Sequence, residues 1–259
     1  MTAPPAEPPP KQPWTPLRIL GWAVAGLAGA TFFNVMLLPL WGLSVQTRRI
    51  HSHATIAQND VKNQALAVTN YHTGHGAFPP HGGDADPDAP PVAWMTAILP
   101  MMDQRALHRS IDFTQPFDAP ANAAAFSTAV RSYTSPYVGD APLSSGLAPA
   151  HYAGNELVFL PDLTLDAVRQ ADGLTRTIML AEVNAETGAP TAWGDPANLR
   201  SASAPINGPT GFGANSPGAI VVGFCDGRVT NFNSEIDPAV LAALGTPDGG
   251  ETVSASDFD

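Results

Sequence analysis

The chain has 259 residues, a formal net charge of −11 at pH 7 and a single cysteine, Cys225. One cysteine excludes an internal disulfide, so packing must stabilise the fold. From Thr73 onward the sequence is strongly acidic and has no lysine, which repels phosphate backbones and excludes nucleic acid as an expected partner.

Residues 1–16 are rich in proline and show no hydrophobic periodicity. Proline restricts the backbone and removes amide donors, so this composition predicts an extended, disordered tail. The three prolines at 8–10 also allow a second interpretation, a polyproline ligand for an aromatic groove. We favour the solvated tail.

The segment 17–47 is predicted to be a transmembrane helix. Residues 19–47 carry no charge, and Arg18 and Arg48 flank them. About 20 apolar residues suffice to cross the hydrocarbon core of a bilayer. A signal peptide would have a shorter apolar core with a small-residue cleavage site, and a buried soluble helix rarely runs this long without a charge. We therefore expect a retained single-pass anchor.

Small residues recur along one face of this predicted span. Gly21, Ala25 and Gly29 lie four residues apart, and Asn34 adds a polar side chain within the apolar stretch. Such a stripe lets another helix approach closely in lipid. It predicts contact with other transmembrane helices or subunits of a membrane complex. The alternative is that Gly and Ala are simply common in membrane helices and that Asn34 bonds locally.

The residues after the span continue as an amphipathic helix to His72. Apolar residues recur there at intervals of three and four, with polar residues between them, which is the pattern of one buried stripe. The stripe consists of Ile50, Ala54, Ala57, Val61, Ala65 and Val68. Gly74 is the predicted C-cap.

The rest of the chain is predicted to be an α+β domain with an antiparallel sheet, so that the domain spans 48–259. Asp226 and Gly227 give the strongest hairpin signal, between strands at 218–225 and 228–233. Other strands are expected at 156–160 and 177–181, and the chain from 183 to 218 is expected to be loop. Helices are expected at 95–110, 119–130 and 238–244.

No residue pattern predicts catalysis, a cofactor or a metal site. His72, His75 and His81 are close in sequence, but their glycine- and proline-rich setting favours surface and capping roles over metal ligation. Asp172, Glu182 and Asp226 are candidates for acid–base chemistry. The stronger interpretation is structural, since the two aspartates each precede glycine in a turn and Glu182 ends a strand. We expect a protein that is not an enzyme.

Several short blocks together resemble a large bacterial family abundant in planctomycetes. Its members join a prepilin-like N-terminal helix to an extracytoplasmic domain of unknown function that ends in a His-x9-Asp-Gly motif. The blocks span about residues 57–251. The positions that carry the resemblance are Tyr71, His72, Pro79, Pro80, Trp94, Tyr152, Asn155, Asp172, Gly173, Glu182, Trp193, Asp226 and Gly227.

The resemblance implies a pilin-like fold, in which the long helix packs on the sheet, with large loops. It also implies an inner-membrane protein whose N-terminus is cytoplasmic and whose domain is periplasmic. Two departures qualify it. Ser216 stands where the family has the motif histidine, and Gly21 is not followed by the prepilin cleavage pattern.

Three functions remain open at this point. The first is a non-enzymatic, membrane-anchored accessory subunit that docks its helix and acidic domain onto a larger membrane protein complex. The second is a pilin-like or pseudopilin-like subunit of a filament or secretion assembly. The third and weaker one is a solute-binding module that uses the loop region 183–217. The missing cleavage pattern favours the first.

Overall fold

The computed structural model of the protein describes residues 38–80 and 90–250, together with Thr15, Pro16 and Leu20. The chain divides into two units, Met1–Ser52 and His53–Asp259. Most of the predicted tail and span lies outside the described residues, and so does the whole predicted membrane-helix interface: Gly21, Ala25, Gly29 and Asn34. Within the described part of the chain, no helix is long and apolar enough to cross a membrane.

Helix α1, Leu38–His75, has 38 residues. The central part of the predicted apolar stripe is confirmed, because Ala57, Val61, Ala65 and Val68 are fully buried. The helix continues about one turn beyond the predicted end. Gly76, with φ of 77°, follows it in the left-handed conformation that the sequence analysis assigned to Gly74.

Two polar side chains interrupt the buried face of α1. Asp60 and Gln64 lie one turn apart and are both buried. Asp60 is one of the polar residues between the positions of the apolar stripe, and it is buried beside that stripe. The carboxylate of Asp60 lies 3.8 Å from a terminal nitrogen of the Arg131 side chain.

The sheet has five strands in the order β3-β1-β2-β4-β5. Its neighbours pair antiparallel except β1 and β3, which are parallel. This confirms an α+β class with a mostly antiparallel sheet. The strands are β1 Tyr152–Asn155, β2 Ile178–Glu182, β3 Leu199–Arg200, β4 Ala219–Phe224 and β5 Val229–Asn233.

Three predicted elements differ in the structure. The expected helix at 95–110 is divided into the helix Trp94–Ile98, the 3-10 turn Leu99–Met102 and the helix Arg105–Arg109. The expected strand at 156–160 is a turn, in which the Leu157 N–H donates to the side chain of Asn155 at 3.1 Å. The expected helix at 119–130 contains only a single 3-10 turn, Pro120–Asn122, followed by the short helix α4. The short parallel strand β3 lies in the region expected to be loop.

Among the described residues, five shorter α-helices and three 3-10 turns accompany α1. Helix α5 begins at the N-cap Thr164, whose hydroxyl accepts a bond from Ala167 N–H. Pro238 opens α6, as predicted, and its N-cap Asp237 accepts from Ala239 N–H. The helices are α2 Trp94–Ile98, α3 Arg105–Arg109, α4 Ala123–Phe126, α5 Leu165–Gln170 and α6 Pro238–Gly245.

The sheet lies between two apolar clusters. One contains the buried stripe of α1 with Met179 and Val221, and the other contains Ile220 and residues of α6. Gly223 lies where α1 approaches β4. A Cβ there would stand 2.9 Å from Cγ1 of Val61, closer than carbon atoms tolerate. The absence of a side chain at 223 therefore permits this contact.

Candidate functional site

Two of the family positions, Trp94 and Trp193, hold loops to the core. Both side chains are fully buried. The indole N–H of Trp94 donates to the carbonyl oxygen of Asn198 at 3.0 Å. That of Trp193 donates to the carbonyl oxygen of Thr128 at 3.0 Å. Since each buried indole N–H has a partner, both tryptophans have structural roles.

Asn155 ties the C-terminal helix to the sheet. Its buried side-chain amide donates to the carbonyl oxygens of Ile178 at 2.8 Å and Gly245 at 2.7 Å. Because these bonds span distant parts of the chain, this residue connects β2 and α6 at the end of β1.

Asp172 binds two residues near the C-terminal end of the described chain. Its two carboxylate oxygens accept from the N–H groups of Gly249 at 2.8 Å and Gly250 at 2.9 Å. Gly173 beside it has a φ of 90°, which favours glycine. The Asp-Gly pair therefore makes a turn and also a clasp for the C-terminal glycines.

Asp172→Ala is expected to lower the free energy of unfolding by about 1 kcal/mol, because two exposed bonds to one carboxylate are lost. Hydrogen exchange should accelerate selectively at the amides of Gly249 and Gly250. Asp162→Ala, which removes an equal charge from an exposed side chain, is the control. Unchanged exchange at the two glycines would contradict the clasp.

The last turn of α1 and the residues that follow it are engaged in packing contacts. Tyr71 stacks on His75 with ring centroids 3.9 Å apart. His72 Nε2 accepts from Leu165 N–H at 3.1 Å, and burial lowers the pKa of His72. Pro79 is buried and Pro80 half-buried.

These histidines do not form a metal centre with one another in the part of the chain that is described. No group of three or more His, Cys, Asp or Glu side chains there is placed to hold a metal ion. His81 lies outside the described residues.

Asp226 and Gly227 form the predicted hairpin turn between β4 and β5. The Asp226 carboxylate accepts from Arg228 N–H at 2.9 Å, and Gly227 has a φ of 82°. Asp172, Glu182 and Asp226 are thus engaged with different partners, and the structure gives no support to their pairing for acid–base chemistry.

Glu182, at the end of β2, is the centre of a buried polar cluster. Its Oε1 accepts from the Ser135 hydroxyl at 3.2 Å and lies 3.5 Å from the Asn215 amide donor. Its Oε2 accepts from Val221 N–H at 3.2 Å. One fully buried carboxylate therefore joins two loops and strand β4.

Burial dominates the electrostatics of this cluster. It raises the pKa of Glu182 to about 7, although the three donors favour the ionised form. It also lowers the pKa of His151 to about 4. His151 Nδ1 accepts from Ser135 N–H at 3.0 Å, which requires an unprotonated nitrogen. The imidazole is therefore neutral at physiological pH.

The Ser135, His151 and Glu182 side chains do not have the geometry of a catalytic triad. In a triad the serine hydroxyl donates to the histidine, and the carboxylate orients that histidine. Here the serine hydroxyl donates to Glu182, while His151 receives the serine backbone N–H. The arrangement therefore stabilises a loop and does not activate a nucleophile.

An open cleft of about 530 Å³ lies beside this cluster. Its walls come from Tyr137 and Val138 on one side and from two loops at 184–186 and 214–217 on the other. Ser216 lines the cleft, and its hydroxyl donates to the Ala219 carbonyl oxygen at 2.7 Å. The volume is within the range of small-molecule sites.

The comparison with protein families gives one result. Residues 54–152 match the model of a family described as SBP_bac_10, protein of unknown function (DUF1559). No curated protein and no solved structure matches the chain significantly. The expected resemblance to a family of unknown function is thus supported for this part of the chain.

The DUF1559 match covers only half of the polar cluster. Ser135 and His151 lie within it, whereas Glu182 and Asn215 lie beyond it. Tyr152, the last matched residue, is fully buried at the start of β1. Burial raises the pKa of Tyr152, and a side-chain hydrogen bond with Ser135 acts in the opposite direction.

Ser135 was not recognised from the sequence, and no motif there indicated a role for His151. No local motif surrounds Ser135, and its partners are distant in the chain. The one available signal was on α1, where Asp60 and Gln64 lie next to apolar stripe positions. Polar residues at the edge of a buried stripe indicate a partner in another element.

Proposed function

We propose that this protein is a non-enzymatic accessory subunit, tethered by a membrane helix to a larger membrane protein complex. The observation that carries the proposal is the continuity of helix α1. It begins at Leu38, inside the charge-free stretch 19–47, and its later turns supply the apolar stripe of the domain core. A domain built on the continuation of a hydrophobic segment is suited to presentation at a membrane surface.

The non-enzymatic part of the proposal draws support from how the polar groups are used. Glu182 accepts from three donors, Asp172 binds two backbone amides, and the Ser135 hydroxyl donates to a carboxylate. Each of these groups already has a structural partner. We place the domain 48–259 in the periplasm and the N-terminus in the cytoplasm of a bacterial inner membrane.

A pilin-like subunit of a filament or secretion assembly is the second candidate. The helix-on-sheet packing of α1 favours it, since that is the arrangement the family resemblance implies. The absence of the prepilin pattern after Gly21 favours the accessory subunit instead. A solute-binding module is a third candidate, supported by the cleft of about 530 Å³ beside Glu182.

Alkaline extraction, intact mass and protease access together separate the first two candidates. An integral accessory subunit should resist alkaline extraction, keep residues 1–16 by intact mass, and lose its domain to protease added to spheroplasts. A mature form that begins near Trp22 would instead favour the filament. Release of the protein by alkaline buffer would contradict a membrane tether.

Ala25→Leu with Gly29→Leu is expected to weaken association with the complex while membrane insertion survives. The two leucines keep the segment apolar but fill the small-residue groove, and each interhelical contact in lipid is worth about 1 kcal/mol. We expect about a tenfold loss of bound subunit on native gels. Substitution of Leu20 and Leu27 by alanine, at helical positions opposite the groove, is the control. Equal recovery of the complex by the double leucine variant would move the interface to the acidic domain.

A further inference from the structure

An open groove of about 280 Å³ lies beside α1, where the 3-10 turn Leu99–Met102 adjoins the helix. Its apolar part consists of Leu66, which is 56% exposed, and the half-buried Met101 and Met102. Exposed apolar residues that lie together mark interaction surfaces, and methionine is enriched at such surfaces because it adapts its shape to a partner. We call this surface the α1 groove. It is lined by Asn63, Leu66, Ala67, Met101, Met102, Asp103 and Ser132.

The exposed face of α1 beside the groove carries no negative charge. Asp60 is the one acidic residue between His53 and His75, and it is buried. From Thr73 onward, by contrast, the chain has 7 arginines and 21 acidic residues. Like charges repel when two such surfaces approach each other. The face of α1 therefore lets two copies of this acidic protein meet without a layer of opposing carboxylates.

Two opposite charges flank the apolar part of the groove. Lys62 is exposed and lies one helical turn before Leu66, on the same side of the helix. Asp103 is exposed and lines the groove directly after Met102. Neither forms an ion pair with any residue that the structure describes. A partner with the same two charges in the same arrangement can neutralise both.

The shape of α1 suits a second helix. Asn63, Leu66 and Asn70 are exposed and recur at intervals of three and four, so they form a ridge along the helix. Parallel helices pack such ridges into each other's grooves with axes about 8–10 Å apart. At that separation, equivalent residues on two helices come close enough to be cross-linked.

We propose that the α1 groove is an interface between two copies of this chain, related by a two-fold axis that runs along the helices. Leu66 of each copy contacts Met101 and Met102 of the other. Lys62 of each copy pairs with Asp103 of the other, so the interface contains this ion pair twice.

The two-fold arrangement follows from the composition of the patch. An isologous interface uses the same patch on both copies, so the patch must be complementary to itself. An apolar centre with one positive and one negative charge at its rim meets this requirement, and it leaves both charges paired. The proposal goes beyond the accessory role, since it adds a second copy to the partners of this chain and stands without the membrane tether.

Cysteine cross-linking of the purified full-length protein tests the contact. The native Cys225 is buried, so a short bismaleimide reaches only an introduced cysteine. Asn70→Cys places a thiol on the exposed ridge and leaves Leu66 in place. Val138→Cys is the control, because Val138 is 46% exposed and lines a different cleft. Asn70→Cys should give a several-fold higher yield of cross-linked dimer.

Charge exchange in the Asn70→Cys background tests the pairing. Lys62→Asp should weaken dimerisation about tenfold, because both ion pairs become repulsions between carboxylates. Asp103→Lys should weaken it in the same way, since two ammonium groups then face each other. An equal mixture of the two variants should restore dimerisation, because each copy supplies the charge that the other lacks. Different affinity tags on the two variants identify the mixed dimer.

Arg176→Asp is the control for net charge. It changes the net charge by the same amount as Lys62→Asp, but Arg176 is exposed and lies outside the groove, so the yield should not change. Equal yields from Asn70→Cys and Val138→Cys would overturn the proposal. An equal loss with Arg176→Asp, or a mixture that dimerises no better than either variant alone, would also overturn it, because general repulsion would then explain the effect.

Discussion

Glu182→Gln is expected to make the domain more stable at pH 8, by about 2 kcal/mol, and not at pH 5. The reason is the cost of holding a charged carboxylate in a fully buried site. Burial raises the pKa of Glu182 from 4.5 to about 7, which at about 1.4 kcal/mol per unit corresponds to about 3.5 kcal/mol at pH 8. The weaker bonds of Ser135 and Asn215 to a neutral side chain offset part of that gain. Glutamine keeps an acceptor oxygen for Val221 and removes the charge.

The direction of the pH dependence follows from linkage. Because the folded pKa of Glu182 lies above the unfolded value, its contribution to stability is fully present below pH 4.5 and is lost as pH rises through 7. Asp60 acts in the same direction, since burial raises its pKa to about 6. His151 acts in the opposite direction, because burial lowers its pKa from 6.5 to about 4 and stability is lost as pH falls below 6.5.

The window from pH 6.5 to 8 therefore isolates the effect of Glu182. Wild-type protein should become less stable across this window as pH rises, and Glu182→Gln should show a flatter profile. Urea unfolding at several pH values measures both. Glu186→Gln, on the exposed rim of the adjacent cleft, is the charge-matched control. A variant destabilised equally at pH 5 and pH 8 would show that the bonds of Glu182 outweigh its charge.

Local signals in the sequence were sufficient for several elements. The three- and four-residue spacing of Ala57, Val61, Ala65 and Val68 predicted the buried face of α1, since a helix repeats at that period. Asp226 and Gly227 predicted a hairpin because their turn chemistry is local. Pro238 predicted the start of α6 for the same reason.

Strand β1 shows where local signals failed. The apolar residues Val158 and Phe159 suggested a strand at 156–160, but they are buried in the turn after β1. The strand itself contains Gly154, where a Cβ would stand 2.8 Å from the ring of Phe159. A glycine that makes room for a ring five residues later is a tertiary requirement, which strand propensity does not capture.

The buried polar cluster around Glu182 could not be predicted from local sequence signals, for a similar reason. Glu182 was expected to end a strand, and it does, but its partners Ser135 and Asn215 are 47 and 33 residues away in the chain. No spacing rule connects such residues. Only the fold brings the loops together, so the sequence identified one member of the cluster without its chemistry.

The packing of α1 on the sheet can be tested at Gly223. Gly223→Val is expected to lower the free energy of unfolding by about 2–3 kcal/mol, as overpacking of a close contact does. The new side chain would enter the space of Val61, whose Cγ1 lies 2.9 Å from the ideal Cβ position. Chemical denaturation followed by near-ultraviolet circular dichroism measures the loss.

The decisive measurement is the double variant. Val61→Ala alone should cost about 1–2 kcal/mol because it leaves a cavity. Combined with Gly223→Val it should cost at least 1 kcal/mol less than the sum of the single changes, since alanine makes room for the new valine.

Val68→Ala is the control. Val68 is equally buried on the same stripe but lies about two turns from Val61, so its cost should add to that of Gly223→Val. Additive costs for both pairs would mean that α1 does not meet β4 at Gly223. Coupling confined to Val61 would establish the register of helix and sheet on which the accessory-subunit and pilin-like candidates both depend.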